Sequence, residues 1–253
     1  MQLFDLTGRS ALVLGGNGVL GSALVKGLAA HGARVAIAGR DQDKARAVRA
    51  ELVQSGHDAE AFYVDLTARS SLEQLQEQVG KWAGHLDILV HCAGINSKKP
   101  FLEVTDEDWD DIFTVNVKSA FQAAQIFGKQ MMEDGGGSII HISSVSSLQP
   151  LSGVFAYSAS KAALNNATQY LAREFAPIVR VNAIIPGFFP AEQNRKILTK
   201  ERVDAIYSQT PMGRLGEPTE LQGTVVWLAS EQASGFVTGA LIPVDGGFTA
   251  MKL

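Results

Sequence analysis

Residues 14–21 read LGGNGVLG, a stretch with four glycines in eight positions. It follows an apolar run, SALVL (10–14), and opens a segment of helical period that begins near Gly18. In that setting Gly16, Gly18 and Gly21 spell GxGxxG, the strand-to-helix pattern of dinucleotide-binding folds. Glycines let a backbone pass close to a pyrophosphate, and the amides and dipole of a helix start favour the anion. A tight turn with no ligand is the alternative reading, because the pattern alone is weak.

The rest of the chain supplies the context. Runs rich in Val, Ile and Leu recur at RVAIAG (34–39), AEAFYV (59–64), LDILVH (86–91), GSIIHIS (137–143), VRVNAII (179–185) and ALIPV (240–244). Helix candidates start between them near Asp41, Ala68, Thr105, Val154 and Pro218. Several strands are apolar on both faces, as a parallel sheet covered by helices on each side requires. The expected fold is therefore an α/β doubly wound parallel sheet, a Rossmann fold, in one domain spanning 1–253. The irregular stretch after Pro186, at about 187–217, is expected to be a substrate lid.

Composition narrows the function. A chain of 253 residues with net charge −4 and no basic run has no phosphate-tracking patch, so no nucleic-acid partner is expected. The apolar runs are strand-sized and the N-terminus, MQLFDLTGRS, has no signal-like pattern, so no membrane partner is expected and the cytoplasm is the expected location. The single cysteine, Cys92, reads as a buried thiol. No metal site is expected.

Tyr157 and Lys161 in FAYSASKAAL stand four residues apart, on one face of a helix. Bringing a phenol from about 10 to about 7 takes roughly 4 kcal/mol. A cation at 4 to 6 Å supplies about 3 to 4 kcal/mol in an effective dielectric of about 20. The pair is thus of the right size to make an acid/base, although a lysine lying along a half-buried ring is the commoner use of this spacing. Ser144, in HISSVSS, falls at a strand end, where its hydroxyl would hold a substrate oxygen. Asn116, in FTVNVKSAF, lies mid-helix and either anchors a proton relay or faces solvent.

Together, GGNGVLG, Asp65 in YVDLT, HCAG (91–94), Asn116, Ser144, YSASK (157–161) and Pro186-Gly187 resemble the short-chain dehydrogenase/reductase family over essentially the whole chain. The resemblance implies an NAD(P)(H)-dependent enzyme interconverting a secondary alcohol and a ketone, with a catalytic set of Asn116, Ser144, Tyr157 and Lys161. In it Tyr157 passes the proton, Lys161 lowers the phenol and holds the nicotinamide ribose, Ser144 orients the reacting oxygen, and Asn116 organises a relay behind Lys161. It also implies cofactor contacts at Gly15, Asn17, Gly18, Leu20, Gly21, Arg40, Asp65, Leu66, Ala93, Gly94, Tyr157, Lys161, Pro186 and Gly187. Against the family's TGxxxGxG pattern, the threonine falls on Leu14 and the middle glycine on Val19; His91 replaces an asparagine, and Ala191 a threonine. His91 reads as strand packing rather than a catalyst.

An arginine after the second strand can pair with a 2′-phosphate, whereas an acidic residue there favours NAD. Gly39-Arg40 therefore favours NADP, with NAD as the alternative and a surface pair of Arg40 with Asp41 or Asp43 as the bland reading. Asp65 is either an adenine contact or a helix cap. PGFFPAEQNRKIL, TPMGRLGEP and VDGGF resemble members acting on sugars, sugar acids and polyols, of the gluconate 5-dehydrogenase and fructuronate reductase types. On that reading Gln193, Asn194 and Arg195 contact substrate; otherwise they start an exposed helix. Phe188 and Phe189 pack the lid or touch substrate. A 3-oxoacyl thioester reductase and a noncatalytic nucleotide-binding protein are the alternatives. The expected partners are a small carbonyl or alcohol substrate and, through helices at 105–133 and 155–176, further copies in a homotetramer.

Overall fold

The computed structural model describes residues 3–190 and 200–250. Seven strands, β1 (Ser10–Leu14), β2 (Arg34–Gly39), β3 (Ala59–Tyr63), β4 (Ile88–His91), β5 (Gly137–Ile142), β6 (Val179–Pro186) and β7 (Leu241–Val244), form one sheet in the order β3-β2-β1-β4-β5-β6-β7. Every adjacent pair is parallel. This is the doubly wound sheet expected from the strand and helix alternation. Strands β1, β4 and β6 are buried along their whole length, which suits their largely apolar runs, and the buried Arg180 and Asn182 of β6 are hydrogen-bonded. The edge strands β3 and β7 are only partly buried.

Helices cover both faces. Helices α1 (Val19–Ala30) and α2 (Gln42–Gln54) lie on one face, and α3 (Arg69–Ala83) on the other. On the first face Leu24, Leu28 and Val225 pack against Val13 and Ile37. Across the sheet Leu72, Leu75 and Phe127 pack against Leu12, Ile139 and Val181. The segment expected to start near Thr105 does so with a capping box, in which Thr105 and Asp108 satisfy each other's backbone amides. It runs as α4 (Asp106–Phe113), α5 (Ser119–Ala123) and α6 (Lys129–Glu133), joined by π-helical turns at Thr114–Lys118 and Ala124–Gly128. Then come α7 (Phe155–Phe175), α8 (Lys200–Gln209), α9 (Gln222–Ala229) and α10 (Glu231–Ser234). The start expected at Pro218 is a 3-10 turn, Pro218–Leu221, leading into α9. Among the described residues, no helix is long and apolar enough to cross a membrane.

The chain lays β1, β2 and β3 outward in one direction and then returns to set β4 on the other side of β1. At that reversal the connections leave the carboxyl edge in opposite directions, and a crevice opens between them. The cofactor contacts expected from the sequence lie on segments that end at, or cross, this edge.

The strand register also sets His91 beside His141, with ring centroids 6.3 Å apart and planes at 82°. Each imidazole donates to a hydroxyl that itself donates to a helix carbonyl. His91 Nε2 pairs with Ser119 Oγ at 2.8 Å, and Ser119 donates to Val115 O. His141 Nδ1 pairs with Thr168 Oγ1 at 2.8 Å, and Thr168 donates to Leu164 O. Both rings are packed strand residues. Burial, then the neighbouring His141 and the Lys161 charge, hold His91 well below its ordinary value, and burial holds His141 at about 4. The unfolded chain protonates these rings near pH 6.5 and the folded chain only at lower pH, so stability falls as pH drops from about 6.5 toward 4. Denaturant melts should show that loss between pH 6.5 and 5, above the carboxylate range. In His91→Asn the loss over that window should be about 1 kcal/mol smaller, from roughly 1.4 kcal/mol per pH unit for one proton. Equal slopes for the two proteins would contradict the assignment.

Candidate active site

The crevice is a cavity of about 500 Å³ bordered by residues following β1 through β6, within the range of cofactor and substrate sites. Its floor is the turn after β1. Gly15 takes φ +81°, and a Cβ there would come within 2.8 Å of the Ala93 backbone. At Gly21 a Cβ would stand 2.0 Å from Gly15 O, so only hydrogen fits where α1 crosses the turn. Gly15, Asn17, Gly18, Leu20 and Gly21 all border the cavity. Gly16, part of the literal GxGxxG, instead faces Val25 and Ile37 in the core. Gly18 caps α1, and no side chain takes the first-turn amides there. The cradle fits a phosphate-bearing group. Of the two departures in this turn, Leu14 is wholly buried at the end of β1 and Val19 borders the cavity.

Three of the four catalytic candidates meet at the middle of the crevice. Ser144, just beyond β5, accepts from Ser146 N at 3.2 Å and from Ser146 Oγ at 3.0 Å. Tyr157 and Lys161 both border the cavity from α7, and the Lys161 ammonium lies 5.7 Å from the phenol ring centroid. Lys161 is 3% exposed, and its Nζ donates to Ile142 O at 2.8 Å. Asn116 does not border the cavity. It is wholly buried behind Gly94, with Oδ1 accepting from Ile95 N at 2.8 Å and Nδ2 donating to Ile95 O and Ser160 Oγ, each at 3.0 Å. A solvent-facing asparagine is thereby excluded. The π-helical turn at Thr114–Lys118 carries it inward, a device common at functional sites. A Cβ at Gly94 would sit 3.2 Å from Asn116 Oδ1 and 3.3 Å from Lys161 Nζ, so both polar groups reach the same glycine.

Electrostatics at the centre differ from the simple pair. Burial pushes the Tyr157 phenol above its ordinary value, while Ser144, donating to the phenol oxygen, pulls it back. Burial brings Lys161 down to about 8, and it raises the Cys92 thiol to about 11. In the folded chain the phenol is therefore held in its protonated form.

Arg40, Asp65, Leu66, Ala93, Gly94, Pro186 and Gly187 also border the cavity. Asp41 and Asp43, which a surface role would give Arg40, are taken by others: Asp41 accepts from Lys44 N at 3.1 Å, and Asp43 pairs with Arg46 at 2.7 Å. Asp65 does not cap α3, whose N-cap is Ala68. Its carboxylate closes a turn on Thr67 through the backbone amide at 3.0 Å and the hydroxyl at 2.8 Å, and those bonds lower it.

Two cationic cavity residues escaped the sequence reading. Lys44 stands one turn beyond Arg40 on α2, and Arg202 lies on α8; both border the cavity. Their signal was helical phase relative to the crevice, which spacing alone does not give. Gln193, Asn194, Arg195 and Ala191 lie outside the described residues. At the two stems of the segment after β6, Gly216 N donates to Phe188 O at 2.9 Å and Gly187 N to Val244 O at 3.0 Å. Phe189 is buried against Gly216, so it packs there, while Phe188 meets Phe248 edge-on at 5.0 Å; both rings also border the cavity.

Comparison with known proteins agrees with this geometry. Residues 17–249 match the family described as enoyl-(acyl carrier protein) reductase. The chain is 40% identical to an uncharacterized oxidoreductase of Bacillus subtilis, over 97% of this chain and 96% of that one. It is 34% identical to the gluconate 5-dehydrogenase of Gluconobacter oxydans, over 98% and 97%. The crystal structure of a gluconate 5-dehydrogenase from Burkholderia cenocepacia, in complex with NADP and tartrate, superposes with a TM-score of 0.95 at 32% identity, over 99% of this chain and 98% of that one. With the glycine turn, the Ser144-Tyr157-Lys161 centre and full-length similarity in agreement, the chain belongs to the short-chain dehydrogenase/reductase family of oxidoreductases.

Proposed function

We propose that this enzyme interconverts a sugar-acid secondary alcohol and its ketone with NADP(H), using Tyr157 as the acid/base. The observation that carries the reading is the meeting of Ser144, Tyr157 and Lys161 beside the glycine cradle in one cavity. The amides of the Gly15–Gly21 turn would hold the pyrophosphate, Arg40 and Lys44 the 2′-phosphate, and Lys161 the nicotinamide ribose. The bound nicotinamide supplies or accepts the hydride.

The chain's own groups handle the proton. In reduction, Tyr157 gives its phenolic proton to the carbonyl oxygen as charge builds there, and Ser144 donates a hydrogen bond to the same oxygen. The protonated phenol is the form this direction consumes. In oxidation the phenolate must be reached, and a cation at 5.7 Å from the ring supplies about 3 kcal/mol in an effective dielectric of about 20. That is close to the roughly 4 kcal/mol needed to bring an unperturbed phenol near neutrality. Asn116 fixes the backbone at Ile95 on one side of Lys161 and Ser160 on the other, which keeps the ammonium facing the phenol.

The charge pattern supports an anionic substrate. The β5 and β6 side of the cavity is bordered by Ser144, Tyr157, Phe188 and Arg202, with no carboxylate among its described residues. Arg202 would pair with the substrate carboxylate, the role first sought in Arg195. Apolar Leu151, Val154 and Phe188 on the same side favour a second reading, a 3-oxoacyl thioester substrate. A homotetramer would have a candidate surface in the exposed Phe101, Leu102, Phe155 and Tyr170 around α4 and α7.

Tyr157→Phe should lower kcat about 10²- to 10⁴-fold, the usual size of a general acid/base contribution, while NADPH still binds; near-normal turnover would remove Tyr157 from the mechanism. On a panel of keto sugar acids, neutral ketoses and 3-oxoacyl thioesters, the sugar acids should give the highest kcat/KM. Arg202→Gln should raise KM for the acid about tenfold, a loss of roughly 1.4 kcal/mol, and leave a neutral ketose within about twofold. An equal effect on both substrates would deny the ion pair.

A further inference from the structure

We propose that Ser146 is a positioning residue for the reaction, one that turns the Ser144 hydroxyl into a pure donor aimed at the reacting oxygen. This rests on the proton chemistry proposed above. A serine hydroxyl has one proton to give and two lone pairs with which to accept. Both lone pairs of Ser144 Oγ are taken by Ser146, one by its backbone amide at 3.2 Å and the other by its hydroxyl at 3.0 Å. The single proton is then directed away from Ser146, to the phenol oxygen of Tyr157 or to a substrate oxygen beside it. Ser144 thereby enters the chemistry only as a donor, which is what a carbonyl gaining negative charge requires.

The arrangement is held from within. Ser146 is 2% exposed and does not border the cavity, so neither bulk water nor substrate competes for its hydroxyl. Among the described residues, Ser144 is the one hydrogen-bond partner of Ser146 Oγ. Rotating that hydroxyl away would leave a buried polar group unpaired, which costs more than the bond itself is worth. The backbone of the turn is clamped as well. Ser147 donates to Ser144 O through both its amide and its hydroxyl, and Asn165 Nδ2 donates to Ser147 Oγ at 2.8 Å. Tyr157, Lys161 and Asn165 follow one another at four-residue spacing on α7, so one face of the helix carries the phenol, the ammonium and this clamp. The helix fixes where Ser144 stands, and Ser146 fixes where its proton goes. A hydroxyl that accepts a bond is polarised by it, so the chain from Ser146 through Ser144 tightens as charge builds on the far oxygen.

The test is a double-mutant cycle on the single-turnover rate of NADPH oxidation, run with the keto substrate that the panel above ranks first. Ser146→Ala should slow that step about fivefold, the usual size of one neutral hydrogen bond, while the affinities for NADPH and substrate stay within about twofold. In a Ser144→Ala background the same change should cost less than about 1.5-fold, because no hydroxyl remains for Ser146 to orient. The pH profile gives a second readout. In the oxidation direction the rise of kcat/KM with pH should move upward by about half a pH unit in Ser146→Ala, since a weaker Ser144 donor stabilises the phenolate less. In Ser144→Ala, with or without Ser146→Ala, the two profiles should coincide. An unchanged rate in Ser146→Ala, an equal slowing in both backgrounds, or a profile that stays in place would overturn the proposal. Failure of the underlying proton chemistry is visible separately, as turnover that survives Tyr157→Phe.

Discussion

An ammonium carried almost out of water is the constraint around which this site is organised. Lys161 is nearly fully buried, and a buried cation is costly unless oxygen atoms surround it. The carbonyl at the end of β5 provides one at 2.8 Å, which ties α7 to the strand end. That single bond places Tyr157, one turn earlier on the same helix, beside Ser144, which leaves the same strand. Asn116 and Gly94 complete the enclosure, the first by fixing Ile95 and Ser160 and the second by leaving room where a methyl would crowd both polar groups.

The same burial that makes the lysine useful also limits it. A desolvated ammonium holds its proton less firmly and a desolvated phenol holds its proton more firmly, so the two effects draw the pair toward neutrality. What remains is a mobile proton balanced by a few kcal/mol, with Ser144 biasing the balance from the phenol side. Cys92 and the paired imidazoles of β4 and β5 stay neutral beneath it. Their lack of charge leaves the ammonium as the dominant local field.

Much of this was legible in the chain because parallel sheets write themselves plainly. β1 and β2 end where their apolar runs end, and five helix starts fall within one residue of their expected positions. Tyr157 and Lys161 could be paired because helical spacing is fixed, and the glycine turn because only glycine tolerates its close approaches. Other features depend on contacts between segments distant in sequence. The inward turn of Asn116 comes from a π-helical register, and the neighbouring of His91 and His141 from strand pairing. The entry of Lys44 and Arg202 into the cavity comes from the phase at which their helices face the sheet. The bond from Asn17 to the Asp41 carbonyl joins the glycine turn to the segment after β2. Spacing carries no information about any of these until the sheet is assembled.

The stitching of Phe188 to Gly216 has a wider meaning. Those two residues are joined by a backbone bond, and their neighbours are fastened to β7 and its following turn. Whatever lies between is thus anchored at both ends by the core, and the entropy of spanning a closed loop grows only with the logarithm of its length. Among the described residues between them, Phe189 and Ile206 are buried while most of α8 is exposed, so changes on the exposed face of α8 cost the sheet little.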